Sequence, residues 1–299
     1  MAELHVKVCG GHTRPVCHID YSGVCDGSYW FLSSSHDSKP MLRNGETGDW
    51  VGTFVGHTGA VYGGCIYEGA EKALTVSGDY SAKIWNCLDG GCLNTWTHPH
   101  YVKSCDWKDD RVLTGCFDKM VRLFDSTNYD TEPIQWMPHE NVCKSVYFLS
   151  HGGVLTVCED EIAQWDLRDL EKPVRQITVD SLNCVDYVRQ HQNLIVAAHK
   201  NGVSLIDCDT FDARQPITLE DVECASISPD GQNISLGSRL LVKEYSVDGV
   251  IQRSHYAHHG PVLHIRYCPT GETYTSGAED GMIRIWPTSK VLASHENEE

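Results

Sequence analysis

The 299-residue chain is 41% hydrophobic and 22% charged, the proportions of a globular protein with ample material for a large core. Its formal net charge of −17, from 24 Lys and Arg against 41 Asp and Glu, repels phosphate backbones and argues against direct nucleic-acid binding. The opening MAELHVKVCGG has no apolar leader core, and no stretch reaches the roughly 18 apolar residues of a membrane helix, so neither a secreted nor a membrane-bound chain is expected.

The first element is the alternating run LHVKV at 4–8, followed by Gly11-His12 and Val16. SSSHDSKPMLR (33–43) then shows a small hydroxyl residue, an Asp four positions on, and a short strand ending at Arg43. The same arrangement returns in TVSGDYSAKIW (75–85) and TGCFDKMVRLF (114–124). TVCEDEIAQW (156–165) is one residue shorter after its Asp. NGVSLID (201–207) and RLLVKEYS (239–246) are weaker copies, and SGAEDGMIRIW (276–286) is the fullest. The terminal positions Arg43, Trp85, Phe124, Trp165, Ile206, Tyr245 and Trp286 are spaced by 39 to 42 residues. His12, His57, His98 and His258 each stand four residues before a Val, and His139 three before Val142. Ser-Pro-Asp-Gly (228–231) and Pro-Thr-Gly (269–271) supply turn chemistry between runs.

Seven units of about 40 residues, each reading as short strands without a sustained helical stripe, predict an all-β, seven-bladed propeller. It should occupy residues 1–290, with a short acidic tail at 291–299. LHVKV is placed as the outer strand of the last blade, closing the ring so that no edge is left open.

The recurring polar residues read as architecture. Asp, His, Ser or Thr, and Trp can form one buried hydrogen-bond chain per unit. The complete sets are His57, Thr75, Asp79 and Trp85, and His258, Ser276, Asp280 and Trp286. A buried indole N–H needs a partner, and leaving such a group unpaired costs about 1–3 kcal/mol. Phe124 leaves the third set without an indole. Units five and six lack the His and Asp, so packing and strand pairing alone should hold those two blades. No catalytic residue is expected: the Ser, His and Asp are engaged inside a blade, and no nucleophile-elbow, phosphate-loop or zinc-protease motif occurs. No metal or cofactor is expected either, since the 14 cysteines include no C-x-x-C pair and read as free thiols packed on strands. Trp50, Trp96 and Trp136 read as packing between blades.

The stretches GHTRPV (11–16), DSKPMLRNGETGDWVGTFVGHTGAV (37–61), SAKIWN (81–86), HPHYVKS (98–104) and HHGPVLHIRYCPTGETYTSGAEDGMIRIW (258–286) carry a resemblance to WD-repeat propellers. Within them the chain resembles the serine/threonine kinase receptor-associated (unr-interacting) family, Arg43 in place of the first Trp included. A related alternative is the WD-repeat subunit of a eukaryotic translation initiation factor. The resemblance implies a non-enzymatic adaptor, in the SMN complex that assembles spliceosomal ribonucleoproteins and in kinase-receptor signalling. It also implies protein partners in the cytoplasm and nucleus. Residues flanking the repeat His and Asp are the candidate partner contacts: Arg14, Lys39, Tyr80, His100, Tyr101, Lys119 and His259.

Overall fold

The computed structural model describes residues 6–67, 69–127, 129, 132–150, 152–188, 194–214 and 216–296. Seven four-stranded antiparallel sheets form a seven-bladed β-propeller. Six sheets follow chain order from the inner strand outwards. Blade 2, for example, runs Val61–Ile66, Lys72–Ser77, Ser81–Asn86 and Cys92–Thr97. The seventh takes Val262–Tyr267, Thr273–Ala278 and Ile283–Pro287 from the end of the chain and Lys7–Cys9 from its beginning. Lys7 pairs with Ile285 and Cys9 with Ile283, so the outer position of the last blade is filled from the N-terminal side. The first two residues of the LHVKV segment, 4 and 5, lie outside the described residues.

Alternation decides which side chains enter the interfaces between blades. On Lys72–Ser77 the residues Ala73 to Val76 are all fully buried because both faces of a middle strand meet neighbouring sheets. Outer strands are covered on fewer sides. Trp50 and Trp136 are 61% and 56% exposed there, correcting the expectation that both pack between blades, whereas Trp96 is buried.

The turns between the two middle strands fall into two lengths. In blades 2, 3 and 7 the last paired residues around the turn are Val76–Ala82, Gly115–Val121 and Gly277–Ile283. Blade 1 matches them, its Ser33–Met41 pair standing where blade 2 has Thr75–Lys83. In blades 4, 5 and 6 the corresponding pairs are Val157–Ile162, Ala198–Val203 and Gly237–Val242, one residue tighter. Only the longer turn holds the repeat Asp in place to cap it. Asp37, Asp79, Asp118 and Asp280 each accept the N–H two residues on, at 2.9–3.1 Å. The residue after each Asp takes a left-handed backbone: Ser38 (φ 68°), Tyr80 (69°), Lys119 (67°) and Gly281 (75°). Blade 7 needs Gly there for a second reason. A Cβ on Gly281 would sit 3.0 Å from the His12 carbonyl oxygen, where the first blade's entry loop crosses.

Blades 5 and 6 are not held by packing and pairing alone. His199 Nε2 lies 3.0 Å from Ser204 Oγ in blade 5. In blade 6 the buried Ser235 hydroxyl donates to Tyr267 Oη at 2.7 Å, reaching into blade 7. Buried Glu244 of the same blade accepts from the hydroxyl of Ser289 at 3.0 Å and from its N–H. That contact docks the helix Ser289–Glu296, which begins before the expected 290/291 boundary and runs into the tail segment. Residues 297–299 lie outside the described residues. No described helix is long and apolar enough to cross a membrane.

Candidate functional site

The two complete sets place their four side chains in one line. In blade 2, Asp79 Oδ2 lies 2.8 Å from His57 Nδ1, His57 Nε2 lies 2.7 Å from Thr75 Oγ1, and the Trp85 indole N–H donates to Thr75 Oγ1 at 2.7 Å. In blade 7, His258 Nε2 lies 2.8 Å from Ser276 Oγ, which also accepts from the Trp286 indole at 2.9 Å. Asp280 stands 3.2 Å from His258 Nδ1. Both Ser276 and Thr75 are fully buried with their oxygens already engaged, so neither is placed to attack a substrate. Burial pushes Asp79 up, but hydrogen bonds from His57, Ser81 and the Thr58 N–H outweigh it and hold the carboxyl well below the usual range. Burial lowers His258 to about 4, against the pull of Asp280, so the ring is neutral.

The other units depart in informative ways. In blade 1, His12 bridges Asp37 and Ser33 at 2.9 and 2.8 Å, and Arg43 replaces the indole. The Arg43 guanidinium donates to the carbonyls of Gly48, at 3.0 Å, and Gly10, tying the entry loop to the third strand. In blade 3, His98 Nε2 lies 2.9 Å from Thr114 Oγ1, but Asp118 is turned to Arg122 by two hydrogen bonds. In blade 4, the Trp165 indole donates to Thr156 at 2.9 Å while Asp160 accepts the Leu182 N–H of blade 5. The strand register also corrects the spacing there. Cys143 pairs with Cys158 as Val61 pairs with Ser77, so His139 stands four before Cys143, the residue in the Val position.

The inner strands bring charged side chains together in the central channel. Arg266 pairs with Asp186 and stands 3.6 Å from Asp20, and those two acids hold its guanidinium protonated despite burial. Asp20 and Asp106 also accept backbone N–H groups of the blade ahead, Ile66 at 3.2 Å and Phe148 at 2.6 Å. These are structural ties between inner strands, with each acid committed to a partner.

The residues flanking the repeat His and Asp lie on the face formed by the entry loops and the middle turns. Tyr80 extends from the blade 2 turn towards the loop entering blade 3, with ring centroids 5.7 Å from His100 and 5.3 Å from Tyr101. His100 lies edge-on to Tyr101 at 4.5 Å and stacks on Phe117 at 4.7 Å. Tyr80, Tyr101 and Phe117 are 42%, 37% and 43% exposed. The left-handed backbone at Tyr80 aims this ring outwards, and the Asp79 cap holds that conformation. Exposed Lys119 stands two residues beyond Phe117, while half-buried Lys103, on the inner strand of blade 3, lies 3.7 Å over the ring of Tyr62.

Of the seven expected contacts, the structure gathers Tyr80, His100 and Tyr101 into one cluster, with Lys119 on the adjoining turn. Arg14 and Lys39 are exposed on blade 1 and His259 on the loop entering blade 7, all outside the aromatic cluster. Phe117 went unnoticed in the sequence. Its signal was position: it immediately precedes the repeat Asp in TGCFDKM.

The WD domain, G-beta repeat family matches residues 90–125 and 249–287, which fall in the longer-turned blades 3 and 7 together with the outer strands preceding them. The serine-threonine kinase receptor-associated protein of Bos taurus is 34% identical over 292 residues, spanning 94% of this chain and 81% of the bovine protein. The Dictyostelium discoideum protein of the same name is 34% identical over 288 residues, 93% of this chain and 97% of its own length. The eukaryotic translation initiation factor 3 subunit I of Caenorhabditis elegans is more distant, 26% identical over 320 residues.

Proposed function

Because the chain belongs to the serine-threonine kinase receptor-associated family of WD-repeat propellers, we propose that it is a non-enzymatic scaffold that binds proteins through the aromatic face of blades 2 and 3. The cluster of Tyr80, His100, Tyr101 and Phe117 carries this reading. Exposed aromatic rings with two or three torsions each give large contact area for little lost freedom, and interfaces concentrate their energy in such residues. The reading is supported by the commitment of the buried His, Ser and Asp side chains to internal bonds.

The finer assignment is to ribonucleoprotein assembly as a component of the SMN complex, with a second role in receptor-kinase signalling, in cytoplasm and nucleus. It rests on the family relationship and on the acidity of the chain, whose net charge of −17 favours basic protein partners over RNA itself. The test is affinity capture of the tagged protein from its own cells, with and without ribonuclease, read by mass spectrometry. SMN-complex and spliceosomal core proteins surviving ribonuclease are expected. Capture of translation initiation subunits would overturn the finer assignment, and loss of every partner after ribonuclease would overturn the protein-scaffold reading. Tyr101→Ala with Phe117→Ala should reduce capture at least tenfold if this face is the docking surface.

A further inference from the structure

His139, Cys143 and Cys158 come together in blade 4, each offering one ligand atom, with all three atoms within 4.8 Å of one another. Both cysteines are buried and face each other as a register pair on adjacent strands. His139 arrives from the entry loop, its backbone N–H fixed to the Lys119 carbonyl at 2.9 Å and its ring edge-on to Trp165 at 5.1 Å. Its Nε2 is buried without a hydrogen-bond partner. In blades 1, 2 and 7 the equivalent nitrogen meets a Ser or Thr hydroxyl at 2.7–2.8 Å. In blade 4 the hydroxyl of Thr156 serves the Trp165 indole, and the short turn has carried Asp160 away to Leu182. The histidine has lost both tetrad partners and stands instead with two thiols.

We propose that His139, Cys143 and Cys158 form a binding site for a thiolate-seeking divalent cation, zinc in the first instance, which ties the entry loop of blade 4 to its first two strands. One imidazole and two sulfurs are the donor set zinc prefers. Two thiolates on one tetrahedral zinc stand about 3.8 Å apart, a distance side-chain torsions can reach from the observed separations. On binding, each thiol gives its proton to solvent as its sulfur–metal bond forms, and no electron is transferred. Three protein ligands leave one coordination position open to water. The half-buried His139 marks the side from which solvent reaches it.

Blade 2 supplies controls that should fold, because it carries Val61 and Ser77 where blade 4 carries Cys143 and Cys158. The experiment uses the full chain, reduced and stripped with a chelator, titrated with cobalt(II) as a visible stand-in and then with zinc. One equivalent of cobalt should give thiolate charge-transfer bands and a tetrahedral visible spectrum, both abolished by zinc. Zinc should also raise the melting temperature. Cys143→Val, Cys158→Ser and His139→Gln should each weaken cobalt binding more than tenfold, while the two cysteine variants still unfold cooperatively. An absence of thiolate bands in the reduced wild-type protein would overturn the proposal. So would bands of unchanged intensity and affinity in the Cys143→Val, Cys158→Ser double variant, since the metal would then sit among the other twelve cysteines.

Discussion

Blades 2 and 4 carry the same four residue types: His57, Thr75, Asp79 and Trp85 in one, His139, Thr156, Asp160 and Trp165 in the other. Only blade 2 links all four. The difference is one residue in the middle turn. With Val157 pairing Ile162 where blade 2 pairs Val76 with Ala82, the tighter turn swings Asp160 to the backbone of blade 5. Residue type alone therefore does not make the network. The tighter turn carries the Asp away from its own blade's histidine, because a one-residue change in a hairpin alters where every side chain of the turn is aimed. The longer turn permits the link without ensuring it, since in blade 3 Asp118 bonds to Arg122 instead.

The sharpest way to break this comparison is to remove the two acids. Asp79→Ala takes away partners of the His57 ring and of the Thr58 and Ser81 N–H groups, and should cost about 3 kcal/mol. Asp160→Ala removes one backbone acceptor and should cost about 1 kcal/mol. Chemical denaturation of both measures the contrast, and equal losses would refute the role given to turn length. Trp286→Phe tests the indole link alone. It should cost about 1–2 kcal/mol of stability while leaving partner capture unchanged, because that N–H bonds only inside blade 7. A variant of wild-type stability that lost its partners would show the indole to be a contact residue.

Acid should act most strongly on the histidine-bearing blades. His98 and His258 are held at about 4, chiefly by burial, against 6.5 for a free histidine. Between those values the unfolded chain binds more protons than the fold, so stability is full above about pH 6.5 and falls as pH drops towards 4. Asp37, Asp79 and Asp280 are held low in the fold, and their contribution, present above the unfolded carboxylate pKa, is lost as pH falls further. Melting temperatures from pH 7.5 to 4 check this. A Tm flat down to pH 4 would contradict neutral, buried rings in the fold. The smallest expected effect is at Tyr80. Tyr80→Gly relieves a left-handed backbone but gives up the ring contacts with His100 and Tyr101 and gains chain entropy in the unfolded state, so the net change in stability should stay within about 0.5 kcal/mol of zero. The same change should weaken partner capture at a nearly unchanged melting temperature.

The sequence by itself determined the ring. A 39-to-42-residue spacing of terminal strand residues, with turn chemistry between short runs, admits little but repeated sheets, because each unit can bury its faces only against the next. The two complete four-residue chains could be drawn from spacing, since the sequence separation of His, hydroxyl, Asp and Trp is fixed by hairpin geometry. Tertiary structure decided what depends on register and on other blades. It turned Asp118 to Arg122, set Cys143 rather than Val142 after His139, and carried Glu244 to the C-terminal helix. It also gathered Phe117 with Tyr80 and Tyr101 from three separate loops. Spacing within a unit is a local quantity that the chain writes directly. Contacts between units depend on the direction in which each loop leaves its blade, and a single-residue change in turn length redirects them.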